Sequence, residues 1–152
     1  MEIIGYEDRY KEVFSQLNLE WLNKYNLAES HDLEVLDDPR GTIINRGGCI
    51  FLAKEGEAIA GTAALMKEHE GVYELAKMTV APAFRGNGIS KLLLAHCLAE
   101  AKKMGAKKVF LFSNHQLTTA LHLYKQFGFN NIPVENSPFV TADVKMELVL
   151  PL

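Results

Sequence analysis

Between Val80 and Lys91 the chain leaves an apolar, strand-like stretch and turns through Pro82. It then runs through Arg85-Gly86-Asn87-Gly88-Ile89-Ser90 directly into a long helical pattern. Few folds accommodate such a junction. Gly86 and Gly88 carry no Cβ, so the backbone there can bend tightly and approach a ligand closely. The amides that open a helix have no partners within it, and the helix dipole adds positive potential. A strand, a glycine turn and a fresh helix N-terminus together form an anion site suited to a pyrophosphate. Arg85 places a permanent charge beside it. Two nucleotide fingerprints fail at this loop. Gly-x-x-x-x-Gly-Lys-Ser/Thr is absent, and Gly-x-Gly-x-x-Gly would need glycine where Lys91 stands. A nucleotide-dependent oxidoreductase is therefore disfavoured.

The surroundings of the loop define a fold class. Residues 2–6, 48–54, 57–66, 72–81, 107–113 and 143–150 read as strands, with a hairpin turn at Glu55-Gly56. In the last of these, Val144, Met146, Leu148 and Leu150 alternate with Asp143, Lys145 and Glu147. Residues 8–26 carry a helical stripe of Tyr10, Val13, Phe14, Leu17, Trp21 and Tyr25. Ile89, Leu93, Cys97, Ala101 and Met104 mark a second helix, stopped by Gly105, and 117–127 a third, ended by Gly128. Residues 27–47 read as irregular and polar, with a short helical turn over 32–36. Hairpins followed by strand–helix–strand–helix–strand give one mixed α/β (α+β) domain spanning 1–152.

Composition removes other classes. At 48% hydrophobic residues the chain is not disordered, and no apolar run reaches the ~18 residues of a membrane span. A net charge of −3 is a poor match to nucleic acid or an anionic membrane. MEIIGYEDRYKE has no basic start followed by an apolar stretch, so no secretory signal is expected. Cys49 and Cys97 read as structural thiols, which suits the cytoplasm. Histidines 31, 69, 96, 115 and 122 show no zinc-like helical spacing, so no metal is expected.

Arg85-Gly86-Asn87-Gly88-Ile89-Ser90 resembles the acyl-CoA pyrophosphate loop of the GNAT N-acetyltransferase superfamily, Arg/Gln-x-x-Gly-x-Gly/Ala. ELAKMTVAPAFRGNGIS (74–90) resembles that family's fourth strand, splay point and loop. ALHLYKQFGF (120–129) resembles its Ala-x-x-Leu-Tyr-x-x-x-Gly-Phe signature. The likeness covers residues 48–150, and the first helix is compatible with it. It implies a central, mostly antiparallel sheet of about six or seven strands, splayed between the fourth and fifth, with about four flanking helices. Acetyl-CoA would be the acyl donor. Two positions depart from the pattern: Ser90 replaces the usual Gly or Ala, and Leu117 stands where many members carry Asn.

The resemblance also assigns roles. The backbone of Met78, Thr79 and Val80 would pair with the pantetheine arm, as an added strand does. The amides of Gly86, Asn87, Gly88, Ile89 and Ser90 would hold the pyrophosphate, with Arg85 beside them. Asn114 is the candidate to replace the pantetheine contact that Leu117 lacks. Acetyl transfer needs a neutral amine, a stabilised oxyanion and a donor for the leaving thiolate. Tyr124 matches the family tyrosine that reaches the thioester sulfur, and Met78 or Val80 N–H would serve the oxyanion. Glu74 is the base candidate, placed four residues before Met78 and so on the same strand face.

The expected reaction is direct attack by a primary amine of a small, amino-acid-like or peptide-like acceptor in a ternary complex. Neither cysteine lies in a motif that would lower its pKa for an acyl-cysteine route. The competing reading is a CoA-binding sensor or regulatory subunit without transfer activity. The acidic run Glu29, Asp32, Glu34, Asp37 and Asp38 is either a solvated surface or a lure for a cationic acceptor. His31 is either a pocket residue or a loop histidine. The strand at 143–150 could also join two copies into a homodimer.

Overall fold

The computed structural model describes residues 1–135 and 137–150. Seven strands form one sheet: β1 (Glu2–Gly5), β2 (Cys49–Glu55), β3 (Ala58–His69), β4 (Val72–Val80), β5 (Lys108–Ser113), β6 (Asn130–Ile132) and β7 (Val144–Val149). Their order is β1-β2-β3-β4-β5-β7-β6. Every neighbouring pair is antiparallel except β4 and β5, which run parallel. The helices are α1 (Lys11–Lys24), α2 (Ser30–Asp37), α3 (Pro39–Thr42), α4 (Ile89–Lys103) and α5 (Thr118–Gln126).

Period-two patterning puts one side of the sheet against α4 and α5. Tyr73 and Leu75 of β4, Val109 and Leu111 of β5, and Met146 and Leu148 of β7 bury there with Leu93, Leu94 and Cys97 of α4. The other side carries a smaller core, in which Phe14 of α1, Val35 and Leu36 of α2, and Ile43 cover Ile50 and Ala64. The side of β4, β5 and β7 opposite α4 and α5 presents Glu74, Phe110, Phe112 and Lys145, and the functional cavities open there.

Several expectations need correction. The stretch 27–47 is not irregular: it holds α2, α3 and a 3-10 turn at Ile44–Arg46. Sequence patterning anticipated only the 32–36 turn within α2 and missed α3 and the 3-10 turn because both are very short; Pro39 opens α3 at a position where its missing N–H costs nothing. Among the described residues the α-helices number five, in keeping with the expected four or so once the single turn α3 is set aside. The hairpin turn lies one residue later, at Gly56-Glu57, with Gly56 at φ +59°. β6 was not anticipated, since three residues of Asn130-Asn131-Ile132 carry no alternation to read. Finally, β7 lies between β5 and β6. β6 covers its outer edge at Lys145, Met146 and Glu147.

Candidate active site

Strands β4 and β5 share only three pairs, Val72↔Lys108, Tyr73↔Val109 and Glu74↔Phe110. Beyond Glu74 they part, although β4 continues to Val80 and β5 to Ser113. Ala81 N donates to Ala60 O at 2.7 Å, so Ala81 turns its peptide toward β3. By strand alternation Thr79 does the same, while Met78 and Val80 turn theirs toward the gap. The splay thus exposes backbone at Met78 and Val80. It does not expose Thr79, whose expected backbone contact with pantetheine the geometry opposes. Thr79 is buried, and its hydroxyl has no hydrogen-bond partner.

A bulge shapes this end of β4. Register against β3 shifts between Thr62↔Thr79 and Ala64↔Ala76, leaving Lys77 and Met78 opposite Ala63. Lys77 sits at φ +54°, a left-handed conformation unusual for a residue with a Cβ. Its carbonyl accepts from Thr62 Oγ1 at 2.8 Å, and Thr62 Oγ1 accepts from Asn18 Nδ2 of α1 at 3.1 Å. The Lys77 ammonium meets Asp32 of α2 at 2.5 Å, with both side chains nearly fully buried. One inserted residue exchanges the faces that follow it. Met78 therefore packs into the α4–α5 core, while Glu74 lies on the opposite face. The two reach one cavity, but not by sharing a strand face as the uninterrupted count implied.

The acidic run is likewise not a solvated surface throughout. Asp32 is consumed by Lys77, and its other oxygen accepts from Glu29 N at 2.9 Å. The Glu29 carboxylate accepts from Val140 N at 2.8 Å, Thr141 N at 2.9 Å and the Thr141 hydroxyl at 2.5 Å. Asn114 and His115, just past β5, tie the same loop from the other side. Asn114 Nδ2 donates to Thr141 O at 2.8 Å, and His115 N donates to Asp143 Oδ1 at 2.9 Å. A second contact joins His115 Nδ1 to Asp143 Oδ2. Asn114 Oδ1 also accepts from Gln116 N at 3.0 Å, so this side chain is largely committed to the chain itself.

The cavity at the splay, about 120 Å³, is lined by Glu74, Met78, Trp21, Tyr124, Asn114 and Phe139 among others. Glu74 is 8% exposed and makes no hydrogen bond among the described residues. Burial pushes its carboxyl up to about 7; Lys77 and Lys145 pull it down, while Glu68 and Asp32 push it further up. Tyr124, 9% exposed, likewise has no hydrogen-bond partner among the described residues. Burial pushes its phenol up to about 12, so it stays protonated. One dry acid and one group poised between base and acid therefore share a cavity. Burial pushes the Cys49 thiol up to about 11 and the Cys97 thiol higher still, so neither is a ready nucleophile.

The glycine loop abuts the splay. Gly86 and Gly88 have φ of +84° and +74°, and a Cβ at either would meet open space rather than protein. Gly88 is the N-cap of α4 and Ile89 is buried beneath it. Among the described residues the amides of Gly86 through Ser90 find no acceptor in the chain. Asn87 Nδ2 folds back to Phe84 O at 3.1 Å. Arg85 does not lie over these amides. Its Nε donates to Val80 O at 3.1 Å and its guanidinium stacks on Trp21 at 5.3 Å, crossing to α1. Sequence reasoning missed Lys77, Thr62, Asn18 and Trp21 as site residues; the one available signal was that Lys77 falls at i+2 from Leu75 and i+4 from Tyr73, a polar residue on an apolar face.

Among the described residues no group of three or more His, Cys, Asp or Glu could hold a metal, and no helix is long and apolar enough to cross a membrane.

Residues 11–129 match the Acetyltransferase (GNAT) family. The uncharacterized N-acetyltransferase YjgM of Escherichia coli is 36% identical over 80 residues, 51% of this chain and 48% of YjgM. The match thus spans about half of that relative. A GNAT-family acetyltransferase from Staphylococcus aureus superposes with a TM-score of 0.89 at 24% identity, covering 99% of both chains. The PaiA N-acetyltransferase of Thermoplasma acidophilum, solved in complex with coenzyme A, superposes with a TM-score of 0.76 at 18% identity over 98% of both. With the family match spanning helix α1 through the Gly128-Phe129 turn, and with a parallel pair that parts beside a glycine loop, this chain belongs to the GNAT acetyltransferase family.

Proposed function

We propose that the protein moves the acetyl group of acetyl-CoA to the primary amine of a small or amino-acid-like acceptor, by direct attack within a ternary complex. The carrying observation is Glu74. It is the last residue of β4 paired with β5, it is buried with no hydrogen-bond partner among the described residues, and it lines a cavity together with Tyr124. The donor's fit rests on two features of the chain. The unpartnered amides of Gly86 through Ser90 at the start of α4 suit a pyrophosphate. The backbone of Met78 and the N–H of Val80, turned toward the gap, suit an extended amide arm, while the Val80 carbonyl is held by Arg85 Nε. Acetyl-CoA supplies the activated acyl group.

The chain's own groups divide the remaining work. Glu74, poised near neutrality, takes the proton of the acceptor ammonium, directly or through water, and leaves the amine neutral. A backbone N–H at Met78 or Val80 donates to the acyl oxygen as negative charge develops there. Tyr124 keeps its proton until the sulfur departs, then donates it. The ammonium gives its first proton to Glu74 before attack. As the C–S bond breaks Tyr124 protonates the sulfur, the second proton on nitrogen returns through water to the Tyr124 oxygen, and Glu74 releases its proton to solvent, so one proton leaves per turnover. The test is a panel of amines with acetyl-CoA, reading free thiol. Amine-dependent thiol release is expected. Tight CoA binding with no thiol released for any amine would refute the reading and leave a CoA sensor.

A further inference from the structure

A second cavity, about 450 Å³, lies on the same side of the sheet and shares Glu74 and Phe112 with the first. Its charge is opposite to that of the chain as a whole. Arg46, Lys67, Lys108 and Lys145 line it, against Glu68 and Glu74. Lys67 is paired with Glu70 at 2.7 Å, a carboxylate outside the lining. Among the described residues, Arg46, Lys108 and Lys145 have no carboxylate partner. Three cations from three separate elements thus converge on one small-molecule-sized hollow in a chain of net charge −3.

Lys145 is the best placed of them. Its ammonium lies over the rings of Phe110 and Phe112, at 5.2 and 5.1 Å from their centroids. Its strongest other contact is the Glu135 carbonyl, at 3.4 Å. The two aromatic rings fix the head of a side chain that would otherwise sample many rotamers, so little ordering remains to be done when an anion arrives. Glu74 stands at the boundary between this cavity and the splay.

Resting on the acetyltransferase reading, we infer that the acceptor carries a carboxylate beside its amine: the amine goes to Glu74 and the carboxylate to Lys145, with Lys108 and Arg46 adding charge. The chain's chemistry argues against a purely cationic acceptor. The carboxylates of the acidic run that could have drawn one, Asp32 and Glu29, are taken up by Lys77 and by the loop at 140–141. A second ammonium in the cavity would face Lys145 directly.

Product binding tests this without requiring turnover. With CoA present, a panel of N-acetyl amino acids, each beside its carboxamide, is titrated into the protein by calorimetry. At least one acid should bind on the order of tenfold more tightly than its amide, as expected for a charge-assisted contact. Lys145→Gln should bring that ratio close to one while CoA affinity and the melting temperature hold, and Lys108→Gln should reduce it less. Equal binding of acids and amides, binding of neither series, or a ratio retained in both variants would overturn the subsite. If acids are preferred yet amino acids release no thiol from acetyl-CoA, the subsite stands and the transferase reading fails.

Discussion

Replacing Glu74 with Gln should make the protein more stable while making it a worse catalyst, and the gain should depend on pH. The Glu74 carboxyl lies near 4.5 when solvated and is pushed up to about 7 in the fold, chiefly by burial. A group whose pKa is raised on folding contributes stability that is fully present below the unfolded value and lost as pH climbs through the folded one. The window is therefore about pH 4.5 to 7. Each unit is worth about 1.4 kcal/mol, so wild type should lose roughly 3 kcal/mol across that window from this group alone. Glu74→Gln keeps the size and the polar end but has no charge to desolvate, so it should escape that loss. The two proteins should diverge by about 3 kcal/mol between pH 4.5 and 8, or about 6–12 °C in melting temperature for a chain of this size. Urea unfolding at closely spaced pH values measures it directly. The same variant should lose the limb on which the transfer rate rises with pH near 7; acceptors of two basicities separate that limb from titration of the amine. Parallel stability curves for the two proteins would refute the placement of Glu74 as a largely buried, unpartnered carboxylate.

Tyr124→Phe removes a hydroxyl that has no hydrogen-bond partner, so folding should be unaffected while kcat falls by about 10²-fold with little change in the acetyl-CoA KM; full kcat would reduce Tyr124 to a packing residue. Gly88→Val puts a branched side chain at φ +74° in the path of the loop amides, so calorimetry should show CoA affinity falling far more than the strain lowers stability. Lys77→Met strands the buried Asp32 carboxylate and should cost about 3–5 kcal/mol in urea unfolding. Adding Asp32→Asn to that variant should recover much of the loss, and additive effects would argue against direct pairing.

Much of the scaffold was legible because it is written in local patterns. The alternation at 144–150 and the stripe on α4 each specify one buried face, and Gly86 and Gly88 mark a turn that needs left-handed backbone. The stretch 27–47 resisted reading because its structure is held by distant partners. Asp32 looks solvated until Lys77 reaches it from 45 residues away, and Glu29 looks solvated until Val140 and Thr141 bring their amides to it. The bulge was the costliest omission. Lys77 has the parity of the buried Tyr73 and Leu75, three residues from Glu74, so the alternation changes phase between them; that change was overlooked, and the pairing with β3 shows it to be a bulge. The candidates Glu74, Met78 and Tyr124 nonetheless meet at one cavity, since each was placed by an element whose position the strand order fixes. Arg85 was misplaced because sequence gives its charge but not its stacking on Trp21.

The parting of β4 from β5 produces two consequences that are usually separate. A strand that loses its neighbour leaves N–H and C=O groups without partners, a cost that the fold tolerates only where water or a ligand can satisfy them. At Met78 and at the Val80 N–H that requirement points into the gap, while Arg85 Nε meets the Val80 carbonyl. The β4–β5 pairing, which ends at Glu74, fixes that residue at the vertex, where it is 8% exposed. Backbone in need of partners and a largely buried carboxylate thus arise from a single register, within the stretch Glu74 to Val80 of one strand. The bulge at Lys77 lies between them. A left-handed lysine costs on the order of 1 kcal/mol, and a buried ion pair is a weak source of stability in itself. What the Asp32, Thr62 and Asn18 contacts provide is a fixed geometry: they tie the bulge to both α1 and α2. The helices that wall the cavity and the strand that carries its reactive groups are thereby held in one register.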